Sequence, residues 1–358
     1  MYVIRPIALD DLPHLLALSA QTGFGLTTLP NDEKLLRRRI RQSVHAFEKL
    51  GDDDPPLGDA YLFVLERTDT REVCGTCGIT SKVGGFEPFY AYRVETAVHA
   101  SAILNVRREI RTLHLVETHD GPCEIGSLFL APAHRGGGNG RLLSLGRFLF
   151  MADYPSYFEP VVIAEMRGVV DPADGHSPFW EAVGRHFFEV DYPQADYMSM
   201  VNKRFIAELM PRHPIYIPLL PADAQAVIGE VHPDTRPALR ILQDEGFAYS
   251  GMVDIFEAGP VVRARLSEIR AARDSRSATV TAITDTPAVG EPHIVTSRSG
   301  GFRAAVGHVT PTDPNGVAIE ARLATALAVS AGATVRYVSL KPASRPSAPY
   351  PDANIAFD

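Results

Sequence analysis

One stretch constrains this chain more than any other: Glu124-Ile-Gly-Ser-Leu-Phe-Leu-Ala-Pro-Ala-His-Arg-Gly-Gly-Gly-Asn-Gly-Arg-Leu-Leu-Ser-Leu-Gly-Arg-Phe-Leu-Phe-Met-Ala-Asp153. It reads as strand, turn and helix. Ile125, Leu128, Phe129 and Leu130 form a short apolar run that suits a buried strand. Pro132 ends it, because proline cannot donate to a ladder. Gly136, Gly137, Gly138 and Gly140 strip the turn of side chains. Leu142, Leu145, Gly146 and Leu149 then recur at i, i+3, i+4 and i+7, the spacing of a helix face.

Such a turn has a specific chemistry. The first N–H groups of a helix have no partner inside the helix, and the helix dipole adds partial positive charge there. Bare glycines let a phosphate approach those donors. Arg135 and Arg141 flank the turn with full charges. The pattern therefore predicts a pyrophosphate cradle; the plainer alternative is a flexible connector between a core strand and a core helix. No Gly-Lys-Ser/Thr follows, so this is not the phosphate loop of nucleotide hydrolases. Gly136-x-Gly138-x-x-Arg141 lacks the last glycine of a dinucleotide fingerprint. What is present, Arg135-x-x-Gly138-x-Gly140 between strand and helix, resembles the acyl-CoA pyrophosphate signature of the GNAT superfamily of N-acyltransferases.

With 358 residues, 45% of them hydrophobic, the chain can build a large core and more than one domain. A net charge of −8 argues against a general nucleic-acid binder. No apolar run approaches the roughly 20 residues of a membrane span. The start, Met1-Tyr-Val-Ile-Arg-Pro, is strand-like and carries no signal peptide. Three cysteines are too few for a disulfide framework, so a cytoplasmic protein is expected.

Along the chain, Val3 and Ile4 begin a strand. Asp10 or Asp11 caps a helix with Leu12, Leu15 and Leu16 inward, and Gln21 to Pro30 forms a glycine- and threonine-rich loop. Asn31 caps a second helix with the buried stripe Leu36, Ile40, Val44 and Phe47; its run Arg37-Arg38-Arg39, with Arg41, reads as a solvated face. A turn spans Gly51 to Gly58. Tyr61–Leu65 and Val73–Thr80 read as a hairpin, which Phe86 to His99 extends; Leu113–Glu117 and Val161–Met166 read as further strands. Ser177-Pro178 starts a helix through Phe179, Val183 and Phe187. Ala222–Ile228 is a short helix, His232–Thr235 a turn, and a helix with Leu239 and Leu242 inward stops at Gly246. Val253–Phe256 is a strand. Residues 1–275 thus form the main region, with the cradle near 124–153 and a second part at 205–260. Short strands make 279–340 a small β-rich module, and 341–358 reads as a mobile tail.

Three further groups bear on chemistry. Cys74 and Cys77 have the spacing of a metal or redox pair, but in a strand pattern, which predicts buried core thiols and no metal site. Glu124, Glu165 and Asp254, each at a strand edge, are candidates for contacting a cationic substrate. His232 sits beside Pro233 before a helix cap; on the residues alone, a loop histidine bonded to a neighbouring carbonyl is the plainer reading, since twelve histidines compete.

The likeness extends beyond the loop. Val3-Ile-Arg-Pro6, Gly23-Phe-Gly-Leu-Thr-Thr-Leu-Pro30, Tyr92-Arg-Val94, His99-Ala-Ser101, Leu128-Phe-Leu130 and Gly138-Asn-Gly-Arg-Leu-Leu-Ser144 resemble the arginine N-succinyltransferase family. So do Ala164-Glu-Met-Arg-Gly168, Ser177-Pro-Phe-Trp180, Phe205-Ile-Ala-Glu-Leu-Met-Pro211, His213-Pro-Ile-Tyr216, Gly229-Glu-Val-His-Pro233 and Asp254-Ile-Phe256. The resemblance is dense over residues 1–275 and looser beyond. It implies an α/β, GNAT-like fold with a mixed, largely antiparallel sheet flanked by helices. It implies transfer of succinyl from succinyl-CoA, a co-substrate and not a resident cofactor, to the α-amino group of L-arginine. It places the acyl-CoA contact on Leu128 and the proton donor on His232; Leu130 and the turn residues Arg135, Gly136, Gly138, Gly140 and Arg141 complete the candidate acyl-CoA site beside Leu128. It also implies an oligomer, homomeric or with a related subunit. A weakly catalytic binding subunit and an acyltransferase for another amine, such as ornithine, are the alternatives.

Overall fold

The computed structural model describes residues 1–342 apart from 24, 25, 27, 52–56 and 286–289. The centre of the Gln21–Pro30 loop, most of the Gly51–Gly58 turn and the tail beyond 342 lie outside the described residues. The strands are β1 (Tyr2–Pro6), β2 (Ala60–Arg67), β3 (Val73–Thr80), β4 (Phe89–Ser101), β5 (Val106–Thr118), β6 (Cys123–Leu130), β7 (Val161–Glu165) and β8 (Ile215–Tyr216). They continue as β9 (Ala248–Val253), β10 (Pro260–Arg265), β11 (Arg276–Thr284), β12 (His293–Ser297), β13 (Arg303–Gly307), β14 (Val309–Asp313), β15 (Gly316–Glu320) and β16 (Thr334–Ser339). All join one sheet in the order β14-β15-β11-β16-β12-β13-β1-β2-β3-β6-β7-β10-β9-β4-β5-β8. The strands beyond 276 are stitched to the rest where β13 pairs with β1, Ala305 opposite Val3 and Ala304 opposite Ile4. The fold is the mixed, mostly antiparallel α/β arrangement expected, with helices against the sheet.

Two helices, α1 (Leu12–Ser19) and α2 (Glu33–Glu48), cover one face over Leu62, Val64 and Val73. The helix α3 (Asn139–Asp153) covers the other, over Phe63, Leu65, Cys74, Cys77 and Ile125. It is buried nearly all round, since the helix Arg236–Asp244 and the strands β12 and β13 also pack on it. Cys74, Cys77 and Cys123 are buried in that core, and burial pushes the Cys74 and Cys77 thiols up to about 11 and about 12.

Several local expectations change. Asp32, not Asn31, caps α2, its carboxylate accepting the Leu35 amide at 2.9 Å. Asp11 stands at the start of α1 without capping it, because its carboxylate is taken by Arg5 and by the Ala8 amide. The expected helix through Phe187 breaks at Val183: the Trp180 ring fills the space beside Gly184, where a Cβ would lie only 2.2 Å from it, and a second helix, Arg185–Phe188, buries Phe188 and exposes Phe187. The short strand expected near Leu113 is one arm of a long hairpin, since β4 and β5 pair from Phe89↔Thr118 to Ser101↔Val106. This hairpin does not extend β2–β3; it joins the sheet through β9.

Candidate active site

The site begins with a fork in the sheet. The pairs β6–β7 and β11–β15 are the parallel ones among the described residues. The β6–β7 ladder holds for only two residue pairs, Cys123↔Val162 and Glu124↔Ile163. Beyond them β6 stays on β3 as far as Leu130, and β7 stays on β10 as far as Glu165. The two strands therefore part at their carboxyl ends, and the facing backbone groups of β6 are left to other partners, which is where ligands bind in sheets of this kind.

A bulge sits in the fork. Gly78 faces Gly126 and Thr76 faces Phe129, so Ser127 and Leu128 together oppose Cys77. Ser127 takes φ +52°, and the extra residue reverses the side-chain alternation. Before it, Glu124 faces the α2 side; after it, Leu128 and Leu130 pack toward α3. Arg147 of α3, only 2% exposed, donates to the Gly126 carbonyl at 3.3 Å and the Gly78 carbonyl at 3.5 Å, binding the bulge from below.

At the end of β6 the chain enters the glycine turn. Gly136, Gly137 and Gly138 hold φ of +112°, +57° and +89°, values that disfavour any residue with a Cβ. A Cβ at Gly138 would also come within 2.9 Å of Leu340. Gly140 differs: its φ is ordinary and nothing lies within 4 Å of a Cβ built there, so packing does not demand its bareness. Asn139 closes the loop, its side chain donating to the His134 carbonyl at 2.9 Å. The N–H groups of Gly138, Gly140 and Arg141 find no acceptor among the described residues. Arg135 is exposed, tethered by one bond from Nε to the Leu130 carbonyl at 3.3 Å. Arg141 is not the free cation expected from its position: Asp244 of the helix Arg236–Asp244 pairs with it, while its Nη1 is buried without a partner among the described residues.

The three acidic candidates do converge, on the α2 side of the fork. Burial raises the Glu165 carboxyl well above its ordinary value, and Glu124, Asp254 and Glu257 raise it further. Glu165 remains open to water although protein surrounds it, as befits the wall of a cleft. Glu124 and Asp254 are also raised by burial, opposed in both cases by Lys203 and for Glu124 also by Arg39. The expected strand through Asp254 ends at Val253, because the Asp254 carboxylate accepts the Phe256 and Glu257 amides at 2.6 and 2.8 Å and turns the chain. Glu257, pushed up to about 7 by burial and by Asp254, accepts from the Gly168 amide at 2.7 Å and from the Tyr192 hydroxyl.

His232 stands where β7 gives way to the next loop, its amide donating to the Arg167 carbonyl at 2.9 Å. The side chain is 7% exposed. Its Nδ1 accepts the Asp234 amide at 3.2 Å. Burial and the Arg167 charge hold it below the ordinary histidine range, against the pull of Asp234 and the Val170 carbonyl. The ring is thus tied to its own loop through the Asp234 amide, and its backbone to the segment that follows β7.

Sequence reasoning missed four residues here. Arg39 was placed on a solvated face, but it lies in register with Leu36, Ile40 and Ser43, at i+3 from the first buried residue of α2, and reaches Ser127. Arg37, Arg38 and Arg41 are exposed as expected. Lys203, Arg147 and Glu257 carried no local signal.

Comparison with known proteins agrees with this architecture. The family described as arginine N-succinyltransferase beta subunit matches residues 2–271, and its C-terminal domain matches residues 276–339. Arginine N-succinyltransferase of Enterobacter sp. (strain 638) is 46% identical over 96% of this chain and 98% of its own length. The beta subunit of arginine N-succinyltransferase from Pseudomonas aeruginosa is 44% identical, covering 96% of this chain and 99% of that relative. The solved structure of arginine/ornithine succinyltransferase subunit AI from Pseudomonas aeruginosa superposes with a TM-score of 0.86 at 36% identity, over 96% of this chain and 99% of that one. This chain, matched over nearly its whole length, belongs to the arginine N-succinyltransferase family of acyltransferases.

Proposed function

We propose that this chain transfers succinyl from succinyl-CoA to the α-amino group of L-arginine by direct attack of the amine on the thioester. The observation that carries the reading is the fork itself, which has a bare helix start on one face and converging carboxylates on the other. An acyl-CoA pyrophosphate suits the N–H groups of Gly138, Gly140 and Arg141, with Arg135 and the unpaired Nη1 of Arg141 for its charge. The pantetheine arm then runs along β6 past Leu130 and Leu128, and the thioester reaches the fork. Glu124, Glu165 and Asp254 suit a guanidinium arriving from the α2 side, since a cation there relieves their mutual repulsion.

The arginine amine must lose its extra proton to attack, and after attack the expelled CoA sulfur gains one. His232 carries the proton-donor role that the family resemblance implies. The ring starts neutral, so it takes up a proton from the amine before it gives one to the sulfur, and Nδ1 must release the Asp234 amide to do so. No acyl-enzyme is needed, and the three cysteines are buried thiols.

The two Pseudomonas aeruginosa relatives and the matching family are described as subunits, and we place this chain in an oligomer of its own copies or with a related subunit. No helix among the described residues is long and apolar enough to cross a membrane, and the three unpaired cysteines support a reducing compartment such as the cytoplasm. The test is thiol release by the purified chain from succinyl-CoA, acetyl-CoA and butyryl-CoA with L-arginine, ornithine and citrulline. Fastest release with succinyl-CoA and arginine is expected. Equal rates with arginine and citrulline would remove the cationic substrate. A chain that turns over only after a related subunit is added is the binding-subunit alternative.

A further inference from the structure

Several half-buried or buried arginines that flank this core have an anion. Arg5 pairs with Asp11 and Glu66, Arg141 with Asp244, Arg270 with Glu245 and Arg336 with Asp153. Arg39 does not. It is half-buried where it leans over the fork, and its only hydrogen-bond partner among the described residues is the Ser127 hydroxyl, 3.3 Å from Nη2. Burial lowers its affinity for the proton to about 10, and only the field of Glu124, which does not contact it, works the other way. A half-buried guanidinium with donors to spare and no ion-pair partner among the described residues is what a bidentate anion fits.

We infer that Arg39 binds the free carboxylate of the succinyl group and so sets the acyl specificity of the site. The assignment rests on the reaction proposed above. Its geometric basis is the bulge. Leu128 turns toward α3, on the side of the glycine cradle, and Ser127, next to it, presents its hydroxyl to α2. A thioester arriving past Leu128 therefore carries its acyl chain across the fork toward Ser127, and the end remote from sulfur meets Arg39. Charge sorts the two substrates in the same sense. The carboxylates of Glu165, Asp254 and Glu257 line the β7 and β10 side, which suits the arginine cation, whereas the unpaired guanidinium stands on the β6 side. Arg167, whose Nε is buried without a partner among the described residues, acts on His232 and Glu257 at the other wall.

The experiment is calorimetric titration of the full chain with succinyl-CoA and with butyryl-CoA, which has the same four-carbon acyl chain without the carboxylate. Binding, unlike turnover, reads this contact whether or not the chemistry proceeds. Wild type should bind succinyl-CoA about 10- to 100-fold more tightly than butyryl-CoA, the range for a charge-assisted pair. Arg39→Met should erase most of that preference, and Arg39→Lys should keep part of it, because an ammonium keeps the charge but not the planar fork. In Arg39→Lys, which keeps the positive charge beside Glu124, the affinity for L-arginine should stay within about twofold. A wild-type protein that binds both acyl-CoAs equally overturns the inference without any variant, which covers the case of an Arg39→Met protein that does not fold. An Arg39→Met protein that keeps the wild-type preference overturns it too. So does one that instead loses discrimination between L-arginine and agmatine, which would assign Arg39 to the amino-acid carboxylate. If the preference depends on Arg39 but no thiol is released with L-arginine, the proposed reaction falls and the assignment of Arg39 stands.

Discussion

The two faces of the β6–β7 fork are built in opposite ways. The proposed acyl side comes from one continuous run, Glu124 to Asp153, in which strand, turn and helix follow each other without interruption, with Arg39 of α2 reaching its bulge at Ser127. The proposed amine side is collected from Glu124 on β6, Glu165 on β7, Lys203 in a loop, and Asp254 and Glu257 in the turn after β9. A cradle for phosphate needs only backbone donors and small residues, so it is a local device. A pocket for a cation with two charged ends needs side chains at set distances, and those are fixed only when β6, β7, β10 and β9 lie side by side. The sheet order makes the second site; the sequence order makes the first.

In the proposed reaction His232 serves both faces as their proton carrier, so its removal should have the largest effect. His232→Ala is expected to lower single-turnover rates about 10²- to 10⁴-fold, the range for a positioned acid or base. Because the ring must start neutral and its pKa lies below the ordinary 6.5, turnover should hold above that value and fall as pH drops below it. That acid limb should be absent in the variant. A variant with the wild-type rate at every pH would make His232 the loop histidine its backbone bonds describe, and would leave the two faces without a shared proton carrier.

Next in size are changes confined to one face. Glu165→Gln and Asp254→Asn should each weaken L-arginine binding by about 1.5–3 kcal/mol, the cost of a charge-assisted bond, and leave succinyl-CoA affinity alone. Asp254→Asn keeps an oxygen for the Phe256 and Glu257 amides, so the turn should survive. On the other face, Gly140→Val should weaken acyl-CoA binding without lowering Tm, since its φ is ordinary and its surroundings are empty. Gly138 is no such probe, because φ +89° and Leu340 would strain any side chain there. Arg135→Ala should cost about 1 kcal/mol of acyl-CoA affinity at low salt and less as salt screens the exposed guanidinium. If the acidic variants changed acyl-CoA affinity, or the glycine variant changed arginine affinity, the division of labour would be broken.

The same division explains what could be read from the sequence. The cradle was legible because glycines at positive φ, a proline stop and a helical repeat are local signals. Glu124, Glu165 and Asp254 were legible as candidates, but their meeting was not, since no spacing along the chain encodes the strand order. Arg39 shows a different failure. Three neighbouring arginines look like a charged face, and only the position of Arg39 beside Leu36, Ile40 and Ser43 sets it apart. The long β4–β5 hairpin was half missed because its outer part is exposed on both faces and so lacks the alternation that marks a half-buried strand. Lys203 could not be found at all, for nothing around Asn202-Lys203-Arg204 distinguishes it from a surface loop.

The smallest effect is the most specific to the amine side. Glu257 is pushed up to about 7, and Glu124, Glu165 and Asp254 are raised as well, each first by burial. A carboxyl raised in the fold holds a proton that the unfolded chain has lost, so its contribution to stability is full below the ordinary 4.5 and disappears as pH rises through about 7. His232 works in reverse: its depressed pKa makes the fold lose stability as pH falls below 6.5. Stability alone therefore mixes the two, and ligand binding separates them. A guanidinium stays charged at every pH in question and favours ionised carboxylates, so arginine must expel their protons. Affinity for L-arginine should rise with pH by less than about tenfold between pH 6 and 8, since a full pKa unit is worth only 1.36 kcal/mol. Below pH 7, calorimetry in buffers of different protonation enthalpy should show net proton release on arginine binding and none on succinyl-CoA binding. Glu257→Gln should reduce the release while leaving the acyl side untouched. Arginine binding without proton release at pH 6 would mean that the cationic substrate does not enter the acidic face, and the contrast between the two halves of the fork would lose its chemical basis.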